Sequence, residues 1–311
     1  MRFIETLILG CFILLLAAGC HHAPAPPVTL SQDWGEQKTF DFQGLKINYY
    51  EAGQGPPVLL LHGFGACAYT WRFIIPPLAA DHRVITMDLK GFGLSDKPAD
   101  DRYAIDDQAE IIAAFIRSQD LKDAVLVGNS MGGGVALLTY FKFKGESPGR
   151  IKSLVLIDSA GYDQKLPWFI AILRVPGLAQ ISTGLVPPRT TAQLVLKKCF
   201  YDQAKVSEEM IDTYAYYLGL PGAREALIRT ARKVVPADLA EVSARFKTIA
   251  VPVLVLWGAE DQVVPLKVGR YFKRDIPGAE LVILPRCGHL PQEEEPGETV
   301  RIVKAFLEKQ R

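Results

Sequence analysis

Residues 124–134 read Ala124-Val125-Leu126-Val127-Gly128-Asn129-Ser130-Met131-Gly132-Gly133-Gly134. An unbroken apolar run, a Gly-x-Ser-x-Gly turn and a small-residue stretch leading into Val135, Ala136, Leu137 and Leu138 predict strand, sharp turn and helix. In so tight a turn the residues flanking the serine must be nearly free of side chain. The hydroxyl of Ser130 is then held clear of the sheet. The three glycines let the helix pack close to the strand and aim its N-terminus at the serine.

A serine hydroxyl is a weak nucleophile until a base takes its proton, so the chain is searched downstream for a base and an acid. Asp261 lies just past the run Val253–Leu256, in Gly258-Ala259-Glu260-Asp261. His289 lies just past Leu281–Leu284, in Cys287-Gly288-His289. An imidazole accepts the serine proton and returns it to the leaving group, and a carboxylate fixes the imidazole tautomer. The chain has five histidines, and His289 alone follows a late strand at the right place in the order. Asp158, at the end of Leu154–Ile157, is an alternative source of the acid; Asp261 is preferred.

Four further observations set the frame. Six apolar four-residue runs recur, at Val58–Leu61, Val84–Met87, Ala124–Val127, Leu154–Ile157, Val253–Leu256 and Leu281–Leu284. Runs without alternation predict strands buried on both faces, hence a parallel sheet with crossover helices. One such helix shows Ile105, Ala109, Ile112, Ala113 and Ile116 on a face, with acids in its first turns. Alternating segments at Thr39–Phe42 and Lys46–Tyr50 predict an antiparallel edge hairpin. The runs end in His62-Gly63, Asp88, Ser130, Asp158, Asp261 and His289, where ligands of open α/β sheets bind.

These motifs resemble the α/β-hydrolase superfamily, in the branch that carries a helical cap. The resemblance covers most of residues 39–311. It rests on His62-Gly63-Phe64-Gly65, on Asp88-Leu89-Lys90-Gly91-Phe92-Gly93-Leu94-Ser95-Asp96, on Gly128–Gly133 and on Gly288-His289. It implies an α/β fold with a mostly parallel eight-stranded sheet flanked by helices, and a cap inserted after the sixth strand. It also implies an oxyanion hole made by the backbone N–H groups of Phe64 and Met131, with His62 as a turn residue outside proton transfer.

The same resemblance guides the choice of reaction. Haloalkane dehalogenases and epoxide hydrolases share the cap but use an aspartate nucleophile, so Ser130 argues against both. Carbon–carbon bond hydrolases of aromatic-ring degradation have a closely similar Gly-Asn-Ser-Met-Gly-Gly, but commonly tryptophan after the histidine, where this chain has Leu290. Lipolytic bacterial esterases share both that motif and His-Gly-Phe-Gly. The expectation is a serine hydrolase of carboxylic esters with hydrophobic acyl groups. The alternatives are a carbon–carbon bond hydrolase of the ring-cleavage-product type and a non-catalytic binding lipoprotein that kept the fold.

Other chemistries find no support. Gly91-Phe92-Gly93 follows a strand, but Asp96 stands where a dinucleotide fingerprint needs its third glycine. No Cys/His cluster has metal spacing, so no cofactor and no metal are expected. A hydrophobic fraction of 49% and a net charge of +1 describe an ordinary globular chain and give no sign of nucleic-acid binding.

The N-terminus reads as an export signal. Residues 1–19 carry Arg2, an apolar stretch Leu7–Ala18 and Gly19, and Leu16-Ala17-Ala18-Gly19-Cys20 resembles a bacterial lipoprotein signal. Cleavage before Cys20 and its lipidation would anchor the protein to a membrane. His21, in place of an acid, favours the outer membrane; plain secretion or a soluble periplasmic protein is the alternative. Residues 20–38, with Pro24, Pro26 and Pro27, would form an extended tether. The core is expected over residues 39–160 and 246–311, with the cap over 161–245. Of five cysteines, Cys67, Cys199 and Cys287 remain in the domain. A Cys67–Cys287 disulfide is conceivable, and three unpaired thiols are favoured. Within the cap, Leu166–Val186 is apolar but broken by Pro176, Gly177 and Gly184, so it is not expected to span a membrane. It either packs the cap onto the core or forms an acyl pocket or a lid meeting lipid.

Overall fold

The computed structural model describes residues 34–144 and 149–310. The signal, Cys20 and most of the tether lie outside the described residues. One sheet of eight strands runs through the domain: β1 (Glu36–Phe42), β2 (Leu45–Ala52), β3 (Pro57–Leu61), β4 (Arg83–Met87), β5 (Ala124–Asn129), β6 (Ile151–Ile157), β7 (Val253–Gly258) and β8 (Glu280–Leu284). Their order is β1-β2-β4-β3-β5-β6-β7-β8. β1 and β2 pair antiparallel, β2 pairs antiparallel with β4, and the other six run parallel. The hairpin turns through Gln43 and Gly44, both at positive φ.

Each of the six apolar runs is a strand. β3, β5, β6 and β7 are sandwiched between helical layers, which is why their sequences do not alternate. β8 departs from the expectation of burial on both faces. It is the sheet edge, and Ile283 is exposed. The tether boundary is also corrected: β1 begins at Glu36, inside the stretch assigned to residues 20–38. Its first residues are polar and exposed, so alternation is weak there. They are held by the ladder, which pairs Glu36 with Glu51 and Lys38 with Tyr49, and by the Lys38–Glu51 ion pair. Trp34 is buried on the rings of Tyr50 and Tyr69.

The helices are α1 (Ile75–Ala79), α2 (Ile105–Ser118), α3 (Met131–Phe143), α4 (Trp168–Ala171), α5 (Leu178–Leu185), α6 (Pro188–Cys199), α7 (Glu208–Leu218), α8 (Ala223–Lys233), α9 (Leu239–Ala244), α10 (Leu266–Asp275), α11 (Pro291–Glu294) and α12 (Pro296–Glu308). α2 starts where the sequence places it, because the Asp107 carboxylate accepts the Ala104 N–H at 2.9 Å. Helices α4 to α9 all fall between β6 and β7. Val175-Pro176-Gly177 separates α4 and its 3-10 extension from α5, with Gly177 at φ 81°. Among the described residues no helix is long and apolar enough to cross a membrane.

A buried ion pair fastens this helical insertion to the core. The Glu293 carboxylate accepts from Arg72 at 2.5 Å, from the Thr70 hydroxyl at 2.7 Å and, across from α7, from the Tyr214 hydroxyl at 2.6 Å. The Glu293 side chain is wholly buried and that of Arg72 is nearly so. Removing one partner leaves the other charge buried and unpaired. Glu293→Ala is therefore expected to cost about 3–5 kcal/mol of stability, read as a fall in the urea midpoint at unchanged slope.

Candidate active site

Ser130 sits between β5 and α3 with φ 54° and ψ −119°. A side-chain-bearing residue there is strained, and such strain persists only where the surroundings impose it. They do so from three sides. The Ser130 N–H donates to Ile157 O on β6, and Ser130 O accepts from Gly133 and from Ala160. A Cβ at Gly128 would come within 2.3 Å of Gly132 O, and one at Gly132 within 2.1 Å of Leu61 O. The turn can close only with glycine at both places.

The loop after β3 lies alongside. A Cβ at Gly63 would be 3.1 Å from Ser130 Cβ, and Phe64 and Met131 line one cavity with Ser130. The two residues assigned to the oxyanion hole thus border the same cavity as the serine. His62 shapes this loop. Its Nε2 accepts the Leu89 N–H at 2.9 Å, so the Nδ1–H donates to Gly63 O at 2.8 Å. Burial lowers its pKa and keeps the ring neutral. With both nitrogens engaged by backbone, His62 takes no part in proton transfer.

His289 and Asp261 meet at the far end of the sheet. His289 Nδ1 is 2.7 Å from Asp261 Oδ2, and both residues are buried. The other Asp261 oxygen accepts the N–H groups of Val263 and Val264 at 2.7 and 3.0 Å. That anchorage fixes the carboxylate and leaves Oδ2 for the ring. Asp158 is close but makes no hydrogen bond to His289; its Oδ1 accepts the Gly258 N–H at 3.0 Å. Asp158, Asp261 and His289 place one ligand atom each within 4.8 Å of one another. The 2.7 Å between Nδ1 and Oδ2 is shorter than the about 3.3 Å that two ligands of a tetrahedral ion, each bound at about 2 Å, would keep. His289 and Asp261 are spaced as a hydrogen-bonded pair, with Asp158 as a neighbour.

Several groups that hold His289 carry no motif. Asn129 Nδ2 donates to His289 O at 3.1 Å and to Ile157 O at 3.2 Å, tying the elbow to the histidine loop. The His289 N–H donates to Cys199 O at the end of α6. The Glu294 carboxylate accepts from the backbone N–H groups of Gly288, Tyr201 and Asp202. The helical insertion thereby grips the loop that carries His289. The signal for Asn129 is a polar residue closing an apolar strand run. Cys199 and Glu294 have no local signal, because Cys199 meets His289 and Glu294 meets Tyr201 and Asp202 across about 90 residues of chain. Cys67, Cys199 and Cys287 are all buried and unpaired, so the conceivable Cys67–Cys287 disulfide does not form.

A cavity of about 790 Å³, its open mouth included, opens beside Ser130 under the insertion. Ile105, Leu137, Leu166, Ile170, Val242 and Phe246 contribute to its wall. Among the described residues that line it, Asp163 is the one charged side chain and none is Lys or Arg. Leu166 and Ile170, in the apolar stretch of the cap, thus face the cavity, whereas Trp168, Leu178, Ile181 and Leu185 lie on the outside.

Residues 56–296 match the sequence model of the alpha/beta hydrolase fold family. The chain belongs to that family. It is 33% identical over 270 residues to a dihydrolipoyllysine-residue acetyltransferase component of an acetoin cleaving system from Pseudomonas putida, covering 86% of this chain and 68% of that one. It is 30% identical over 270 residues to a 2-hydroxymuconate semialdehyde hydrolase from Pseudomonas sp. strain CF600, covering 85% and 91%. Among solved structures, the meta-cleavage product hydrolase of Pseudomonas fluorescens IP01, in a mutant form complexed with acetates, superposes with a TM-score of 0.74 at 28% identity, covering 88% and 98%. As an α/β-hydrolase, the chain has the eight-stranded, mostly parallel sheet and flanking helices that its sequence leads one to expect.

Proposed function

We propose that this α/β-hydrolase is a serine hydrolase that splits the bond beside a carbonyl carbon, and that this is a carbon–carbon bond in a ring-cleavage-type product. The observations that carry the reaction type are the 2.7 Å contact of His289 with Asp261, the tie from Asn129 to the His289 backbone, and the strained Ser130 next to Asn129, open to an apolar cavity. The choice of bond is supported by the relatives named as a 2-hydroxymuconate semialdehyde hydrolase and a meta-cleavage product hydrolase. They favour this reading over the ester expected from the sequence.

In the proposed cycle Ser130 attacks the carbonyl as His289 takes its proton. The N–H groups of Phe64 and Met131 receive the oxyanion. His289 then protonates the departing group, and a water that it activates releases the acid from Ser130. Asp261 steadies the imidazolium through its contact with Nδ1.

A second reading, hydrolysis of carboxylic esters with apolar acyl arms, draws on the lining of the cavity. A muconate-type substrate carries a carboxylate, and burying one without a cation is costly. Among the described residues no Lys or Arg lines this cavity, which suits a neutral ester. The purified domain, given a ring-cleavage product such as 2-hydroxymuconate semialdehyde and, separately, p-nitrophenyl esters of rising acyl length, decides between the two. Turnover of the first at least tenfold above the best ester is expected. An ester preference would replace the first reading with the second. A folded protein inert on both would leave the binding lipoprotein.

A further inference from the structure

We infer that Asp158 is a positioning residue of the site: its carboxyl keeps its proton at neutral pH and donates it in a hydrogen bond to the Asp261 carboxylate, limiting how strongly Asp261 holds the charged form of His289. The inference rests on the serine-hydrolase reading for its kinetic consequence, but not for the protonation itself.

Asp158 ends β6 and is fully buried. Its Oδ1 has a donor in the Gly258 N–H, whereas its Oδ2 finds no partner while the group is drawn as a carboxylate. An unpartnered buried charge is costly. One proton on that oxygen removes the cost if an acceptor stands near, and the Asp261 carboxylate does. Two carboxylates that close in a dry site do not both ionise. The proton belongs on Asp158, because Asp261 already accepts from Val263, Val264 and His289, whereas Asp158 accepts a single backbone N–H.

The surroundings agree. Burial first, then the charge of Asp261, hold the Asp158 carboxyl well above the usual carboxylate range; the acidic Glu294 adds to this, and the Gly258 N–H opposes it. His289 and the buried thiol of Cys287 are the further titratable groups beside it. The backbone imposes the arrangement. Asp158 sits at φ 44° with its N–H on Leu256 O, a conformation that Asp and Asn tolerate better than other side-chain-bearing residues.

The test is the pH dependence of Ser130 labelling by a fluorophosphonate probe in wild type, Asp158→Asn and Asp158→Leu, with an infrared difference spectrum of the first two. Asparagine supplies both an N–H to Asp261 and a carbonyl to Gly258. Asp158→Asn should label within about threefold of wild type, with the acid limb within about half a pH unit. Leucine strands Asp261 of its donor. Labelling should slow by about tenfold or more, and the acid limb should move up by about one unit, since the ring then keeps its proton to higher pH. At neutral pH the spectrum should show a protonated-carboxyl band that Asp158→Asn lacks.

If Asp158 were ionised, removing its charge in Asp158→Asn would move the limb down and no such band would be lost. Either result overturns the inference, as does a leucine variant that matches wild type. If Ser130 is not labelled at all in wild type, the serine-hydrolase reading has failed, and the infrared band still decides where the proton sits.

Discussion

Ser130→Ala is expected to lower turnover by about four to six orders of magnitude while leaving the fold intact. Alanine keeps the Cβ, so the strained φ of 54° and its backbone hydrogen bonds persist. Stability should change by less than about 0.5 kcal/mol. What disappears is the one group that can form a covalent acyl intermediate. His289, Asp261 and the backbone donors remain, but they have no nucleophile to activate. Ser130→Gly sharpens the result. It is equally inactive, yet removes the penalty of a side chain at positive φ and should raise stability by about 1 kcal/mol. Turnover with the best substrate of the panel, beside thermal unfolding of all three proteins, measures both. An alanine variant that retained a tenth of wild-type activity would remove Ser130 from the mechanism.

Gly132→Ala is expected to damage both stability and activity, by about 3 kcal/mol or more for stability. The added methyl would lie 2.1 Å from Leu61 O and 2.6 Å from His62 O. Both are backbone atoms at the end of a central strand, so neither can swing away. Relief requires α3 to withdraw from β3, which moves Met131 N–H from the oxyanion position and unseats the loop bearing Phe64. Gly134→Ala is the contrast. Its methyl would meet nothing closer than 3.5 Å, and its unfolding midpoint should stay near that of wild type. Urea titrations of the two variants check the pair, with turnover per folded molecule as the second readout.

The contrast between these glycines shows how far the sequence can be read. Three consecutive glycines after the serine look alike in the sequence. Only packing tells that Gly132 faces the strand backbone while Gly134 faces the cavity. The edge strands teach the same lesson. β8 reads as fully buried because its residues are apolar, and its exposure follows from standing last in the sheet. β1 reads three residues short because Glu36, Gln37 and Lys38 belong to a strand through hydrogen bonds to β2, not through an apolar pattern.

The sequence by itself determined the strand–turn–helix that carries Ser130, the run of parallel strands and the helical stretch between β6 and β7. These depend on local matters: glycine where a turn leaves no room, apolar runs where a strand has helices on both faces, and Pro-Gly where a helix must break. It also placed an acid and a base downstream in a workable order. It left open which acid reaches His289, because Asp158 and Asp261 follow neighbouring strands, and β6 and β7 run in register from Leu154–Val253 to Ile157–Leu256. The tertiary structure decided this. The loop after β7 turns back so that Val263 and Val264 seize one oxygen of Asp261 and present the other to the ring. Asp158, at φ 44° just past its strand and with one oxygen on the Gly258 N–H, makes no hydrogen bond to the ring. That choice lies in the path of a loop through space, set by contacts between residues far apart in the chain, on which local pattern is silent.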